Sequence, residues 1–106
     1  MIERNKIQAF VDEVVRQFQP ERVVLFGSYA YGQPSEDSDV DLLVIMPHPG
    51  AGIDQAARIR QTIRAGFPMD LIVRSPAAIR KRVKMGDSFI GEILEKGQVL
   101  HEGRRA

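Results

Sequence analysis

The sequence contains no cysteine, so disulfide bonds and thiolate metal sites are excluded. Histidine is nearly as scarce, with only His48 and His101, which leaves little scope for a histidine zinc centre. Any metal on this chain is therefore expected on oxygen ligands. No apolar run approaches the roughly 20 residues of a membrane-spanning helix, and Met1 to Arg16 alternates charged and apolar side chains without the apolar block of a signal peptide. A soluble, cytoplasmic protein with no membrane partner is expected. An excess of charge is also missing, since 15 basic side chains face 14 acidic ones for a net charge of +1. With Asp39, Asp41 and Asp70 set aside the balance is 15 against 11, or +4, which suits a surface that meets phosphate but falls well short of a dedicated nucleic-acid binder, so nucleic acid is not an expected partner.

At 106 residues the chain fits one domain with a single core. Ile7, Phe10, Val11, Val14 and Phe18 recur at helical spacing and predict an amphipathic helix over residues 4 to 18. Residues 22–26 (RVVLF) read as a buried strand running into Gly27-Ser28, where Ser28 is expected to cap a short helix over YAYG. A second strand is expected over Asp39 to Ile45. A helix capped by Asp54 and stopped by Gly66 follows, then a third strand over residues 69–73. Ser75-Pro76 opens a basic helix to about residue 85, Gly86-Asp87 separates it from another with Phe89, Ile90, Ile93 and Leu94 as apolar stripe, and residues 98–101 suggest a last strand. The expected order is α-β-α-β-α-β-α-α-β. This is an α/β (α+β) fold, a small mixed sheet flanked by helices, with one domain over 1–102 and a disordered tail over 103–106.

Three aspartates stand where strands should be apolar. Residues two apart on a strand share a face, so Asp39 and Asp41 aim their carboxylates one way while Val40 and Leu42 face the other, into the core. Two like charges at the mouth of an apolar strand repel each other and are costly to desolvate, which a divalent cation would relieve. Asp70, flanked by Met69, Leu71 and Ile72, would join them if its strand pairs with DVDLLVI. Carboxylate oxygen is the ligand that Mg²⁺ prefers, and Mg²⁺ completes its octahedron with water and substrate phosphates. Gly27 lets a phosphate approach the backbone, and the Ser28 hydroxyl with nearby free N–H groups can donate to its oxygens. Such an arrangement serves two-metal phosphoryl transfer, with two Mg²⁺ ions and an NTP such as ATP.

The segment FGSYAYGQPSEDSDVDLLV, residues 26–44, resembles the signature of the minimal nucleotidyltransferase (MNT) family of the polymerase-beta-like nucleotidyltransferase superfamily: a glycine-serine pair, ten residues, then Asp-x-Asp in an apolar strand. Asp70 matches that family's later lone aspartate, and the leading helix and GDSFIGEILEKGQVLHEG are also family-like. The resemblance implies that Gly27 and Ser28 bind the triphosphate, that Asp39 and Asp41 bind both metals, and that Asp70 completes the site beside the attacking hydroxyl. It implies transfer of an NMP, AMP from ATP foremost, to a hydroxyl of a partner protein, with the chain as antitoxin of a HEPN-type helical toxin. A binding antitoxin that acts by occlusion, and a small-molecule nucleotidyltransferase completed by a partner or a second copy, are the alternatives. The chain departs from the family at Tyr29, where many members carry a basic residue.

Other features have plainer readings. The run Arg80, Lys81, Arg82 and Lys84, like Arg58, Arg60 and Arg64, is expected to be a solvated helix face, and the histidines surface residues. Tyr29 and Tyr31 suit helix packing and base stacking equally. Neither the nucleotide nor the oligomeric state follows from the sequence.

Overall fold

In the computed structural model, which describes residues 1–103, four strands form one sheet of order β3-β2-β1-β4. The elements run α1 (Arg4–Phe18), β1 (Arg22–Phe26), β2 (Val40–Ile45), α2 (Gly52–Thr62), β3 (Met69–Arg74), α3 (Pro76–Lys84), α4 (Ser88–Lys96) and β4 (Gln98–Glu102). β1 is antiparallel to both β2 and β4, whereas β2 and β3 are parallel, so the sheet is mixed.

Both faces of the sheet are covered, which explains why its central strands are almost continuously apolar. Val23 and Leu25 of β1, with Val40, Leu42 and Val44 of β2, point to the α1 and α2 side and meet Ile7, Phe10, Val11, Val14, Ala56 and Ile59. Val24 and Phe26, with Leu43 and Ile45, point the other way and meet Ile79, Ile90 and Ile93 of α3 and α4. The period-two alternation of each strand thus feeds two cores. α1 buries its predicted stripe and ends where Gln19 turns left-handed at φ 51°, its N–H donating to Val15 O.

The expected helix over YAYG is absent. Gly27 and Gly32 both have positive φ, 73° and 78°, and between them the chain makes turns in which the Ala30 and Tyr31 amides donate to Gly27 O and Gln33 N to Ser28 O. Left-handed residues five apart leave no room for a propagating helix. α2 stops at Thr62 rather than at Gly66, because Ile63 adopts an extended conformation that buries its side chain. Asp54 lies in the first turn of α2 but makes no cap, the N-cap position being Ala51. β2 begins at Val40, one residue later than expected, and β4 runs to Glu102. Gly103 was expected in the tail, yet its N–H donates to Glu21 O at 2.7 Å; positions 104–106 lie outside the described residues.

Ser75 caps α3 by accepting from Ala78 N–H, ahead of Pro76 at the first helical position, and Asp87 caps α4 by accepting from Ile90 N–H at 3.0 Å. Asp87 also pairs with Arg82 at 3.4 Å, tying the two helices together. Asp87→Ala is expected to lower stability by about 1–2 kcal/mol, read as a shift in the urea midpoint with an unchanged slope.

β3 is an edge strand, and its outward carbonyls are partly covered. The Arg60 guanidinium donates to Met69 O at 2.7 Å and that of Arg74 to Val73 O at 2.9 Å. Gly52, the first residue of α2, packs so closely there that a β-carbon on it would stand 2.3 Å from Val73 O.

Candidate active site

Strand direction brings the predicted residues to one end of the sheet. β1 ends there, while β2 and β3 begin there. Asp41 is paired in register with Phe26 of β1 and with Asp70 of β3, so the two aspartates are direct neighbours on the α3/α4 face. Asp39 precedes β2 by one residue and is exposed, as is Asp70, whereas Asp41 is half-buried. The aspartate face is therefore not simply open to solvent. It continues inward through Leu43 and Ile45 into the second core.

Burial pushes the Asp41 carboxyl above its ordinary range, and the negative charges of Asp70 and then Asp39 push it further the same way. None of the three carboxylates has a hydrogen-bond or ion-pair partner among the described residues. Asp41 lies directly against the turn after β1: a β-carbon on Gly27 would stand 2.1 Å from Asp41 Oδ2. Ser28 beside it is partly exposed, and its hydroxyl bonds to no atom among the described residues.

The donor set fits a hard divalent cation, being all carboxylate, close enough to share repulsion and, among the described residues, without a positive side chain paired to it. Among the described residues no three Asp, Glu, His or Cys side chains stand close enough to share one ion. Mg²⁺ characteristically takes one or two carboxylates and fills its remaining positions with water and phosphate oxygens, so the set still suits it.

A family model for the nucleotidyltransferase domain matches residues 7–100. The chain belongs to this nucleotidyltransferase family. Two similar relatives are both described as a "putative protein adenylyltransferase" of Methanocaldococcus jannaschii. One is 30% identical over 104 residues, 95% of this chain and 100% of that protein; the other is 30% identical over 95 residues, 80% and 93% of the respective chains. Among solved structures, a "putative nucleotidyltransferase" from Sulfolobus solfataricus superposes with a TM-score of 0.61 at 24% identity, covering 90% of this chain and 76% of that one. A toxin-antitoxin structure with AMP-PNP gives a TM-score of 0.57 at 18% identity, covering 92% and 74%. The likeness to these structures establishes the polymerase-beta-like fold.

The remaining candidates of this nucleotidyltransferase lie elsewhere. Tyr29 packs against the first core and its hydroxyl accepts the Ile2 N–H at 3.0 Å, so it anchors the N-terminus. Tyr29→Phe is expected to lose about 0.5–1.5 kcal/mol of stability and to leave nucleotide affinity unchanged, checked by thermal melts beside nucleotide titration. Arg80, Lys81, Arg82 and Lys84 are all exposed, as expected of a solvated face. His48 sits in the loop after β2, and His101 on β4, two strands removed from Asp41. Phe89, read from the sequence as part of the buried stripe, is 53% exposed and packs edge-to-face on Phe26. Phe89 stands four residues before buried Ile93, on the edge of the same stripe, so helical spacing alone carries no signal that it is exposed.

Among the described residues, no helix is long and apolar enough to cross a membrane.

Proposed function

We propose that this nucleotidyltransferase transfers AMP from ATP to a hydroxyl of a partner protein, with divalent cations held by Asp39, Asp41 and Asp70 and the triphosphate held by Gly27 and Ser28. The observation that carries this reading is the trio of uncompensated carboxylates beside the Gly27-Ser28 turn. The names of the M. jannaschii relatives, which the chain matches over nearly their whole length, support a protein as acceptor. Following the family resemblance, the partner is a HEPN-type helical toxin and the chain its antitoxin.

In this reading the Ser28 hydroxyl and the turn's amides orient the triphosphate so that its α-phosphorus faces the acceptor oxygen. That oxygen forms the new bond to the α-phosphorus as the bond to the bridging oxygen breaks, and pyrophosphate leaves. Asp70, exposed on the edge strand, takes the proton released by the acceptor hydroxyl. Bound cations supply neutralisation of the triphosphate charge. The burial that raises the Asp41 carboxyl also keeps bulk water from its inner side.

The test is incubation of the chain and its partner with Mg²⁺ and ATP labelled at the α-phosphate. Label is expected on the partner, and it should disappear when Asp39 and Asp41 are both changed to Asn. Neutralisation of the partner that survives this change, with no label transferred by the unaltered chain, would establish occlusion in place of transfer.

A further inference from the structure

Phe26 is the β1 partner of Asp41, and both side chains project to the α3/α4 face of the sheet. The ring of Phe26 is buried, and the ring of Phe89 lies across it with centroids 5.8 Å apart and planes at 86°. Phe89 thus stands one ring away from the strand position of Asp41. In a perpendicular pair Phe26 covers at most one face of the Phe89 ring. Phe89 as a whole is 53% exposed, so the ring is open to a ligand.

Phe89 is also held in place. It lies in the first turn of α4, whose N-terminus is closed by the Asp87 carboxylate on Ile90 N–H, and Ile90 beside it is buried in the second core. Asp87 fills the anion position at that helix end with a negative charge, so α4 offers a polyphosphate nothing there. What it offers toward the site is a flat apolar surface. The aspartates and the Gly27-Ser28 turn address phosphates, which every NTP shares, and leave the base without an assigned contact.

We infer that Phe89 is the platform on which the nucleobase of the bound NTP stacks, with Phe26 as the buried ring that fixes its orientation. This rests on the donor-site reading given above. An aromatic face accepts any base but gains more from the larger purine surface, so the platform favours purine over pyrimidine triphosphates.

The chain has no tryptophan, so Phe89→Trp introduces a single indole reporter. Its fluorescence is expected to be quenched on titration with MgATP, less with MgCTP at equal saturation, and not with magnesium tripolyphosphate, which has the phosphates without a base. In parallel, Phe89→Ala is expected to weaken MgATP binding by about ten-fold or more while leaving tripolyphosphate affinity as in the unaltered chain. Equal MgATP affinity in Phe89→Ala, or an indole indifferent to ATP that binds, would overturn the platform. So would parallel losses of ATP and tripolyphosphate affinity, or a defect confined to labelling of the partner, which would assign the ring to the acceptor. Failure of the unaltered chain to bind either MgATP or tripolyphosphate would instead strike the donor site itself.

Discussion

Replacing Asp41 by asparagine is expected to abolish nucleotidyl transfer and, in the same molecule, to raise the melting temperature measured at neutral pH without divalent cations. The loss follows from removing the central carboxylate of the trio; a fall of about 10³-fold or more in turnover is expected for losing such a group. The gain follows from the same geometry. Asp41 is partly desolvated, faces Asp70 across the strand pair and has Asp39 two residues before it, and among the described residues no cationic side chain pairs with them. Asparagine keeps the shape without the charge, so the repulsion and the desolvation cost both disappear. The rise should amount to a few degrees, since the site is only half-buried and water screens part of the repulsion.

The pH dependence has a definite sign. The folded-state pKa of Asp41 lies above its unfolded value, so on acidification the native chain takes up this proton first. The destabilisation is complete above the folded pKa. It is relieved as the pH falls through that value toward the ordinary carboxylate range of about 3.9. The unaltered chain should therefore gain stability relative to the Asn variant over this acidic window, and the two melting curves should converge. Calorimetric melts at a series of pH values, with the cation removed by chelation, check this. Equal separation of the two proteins at every pH would show that charge is not the cause.

The second large effect is expected at Gly27. Its φ of 73° already disfavours any side chain, and a β-carbon would stand 2.1 Å from Asp41 Oδ2. Gly27→Ala must therefore displace the carboxylate or the turn. Gly32 provides the comparison, because it has a φ of 78° but nothing within 4 Å of its virtual β-carbon. Gly32→Ala should cost only the backbone term of about 1–2 kcal/mol. Gly27→Ala should cost more and lower transfer by about 10²-fold or more, in line with the sensitivity of phosphoryl transfer to misplacement of about 1 Å. Equal losses of stability at both positions, with turnover kept at Gly27, would show that the carboxylate moves freely.

This contact also shows where sequence reasoning reached its limit. Gly27 was read as a glycine so that phosphate could approach, whereas in the fold the group nearest its α-carbon face is the chain's own Asp41. The pairing that brings Gly27 beside Asp41 is long-range and antiparallel, and local spacing does not reveal it. Strands β1, β2 and β3 were legible because short β-branched runs bounded by Pro and Gly have few other uses, and the alignment of Asp70 with Asp41 followed once the strands paired in parallel. The helix over YAYG was not legible as a turn, because the alanine and tyrosines there have ordinary helical propensity and the veto comes from two glycines at positive φ. Phe89 was misread for the opposite reason: its apolarity suits a core, and only the tertiary position of α4 leaves it exposed.

The outer edge of β3 has a consequence of another kind. An uncovered edge strand is a template on which a second molecule's strand can add, and repetition of that event leads to aggregates. Arg60 and Arg74 occupy the carbonyls of Met69 and Val73 that point away from the sheet, and α2 starts hard against the second of them. The strand that carries Asp70 is thereby guarded against strand addition at both ends, so an edge beside the candidate site can stay accessible in the sheet without serving as a template for further copies.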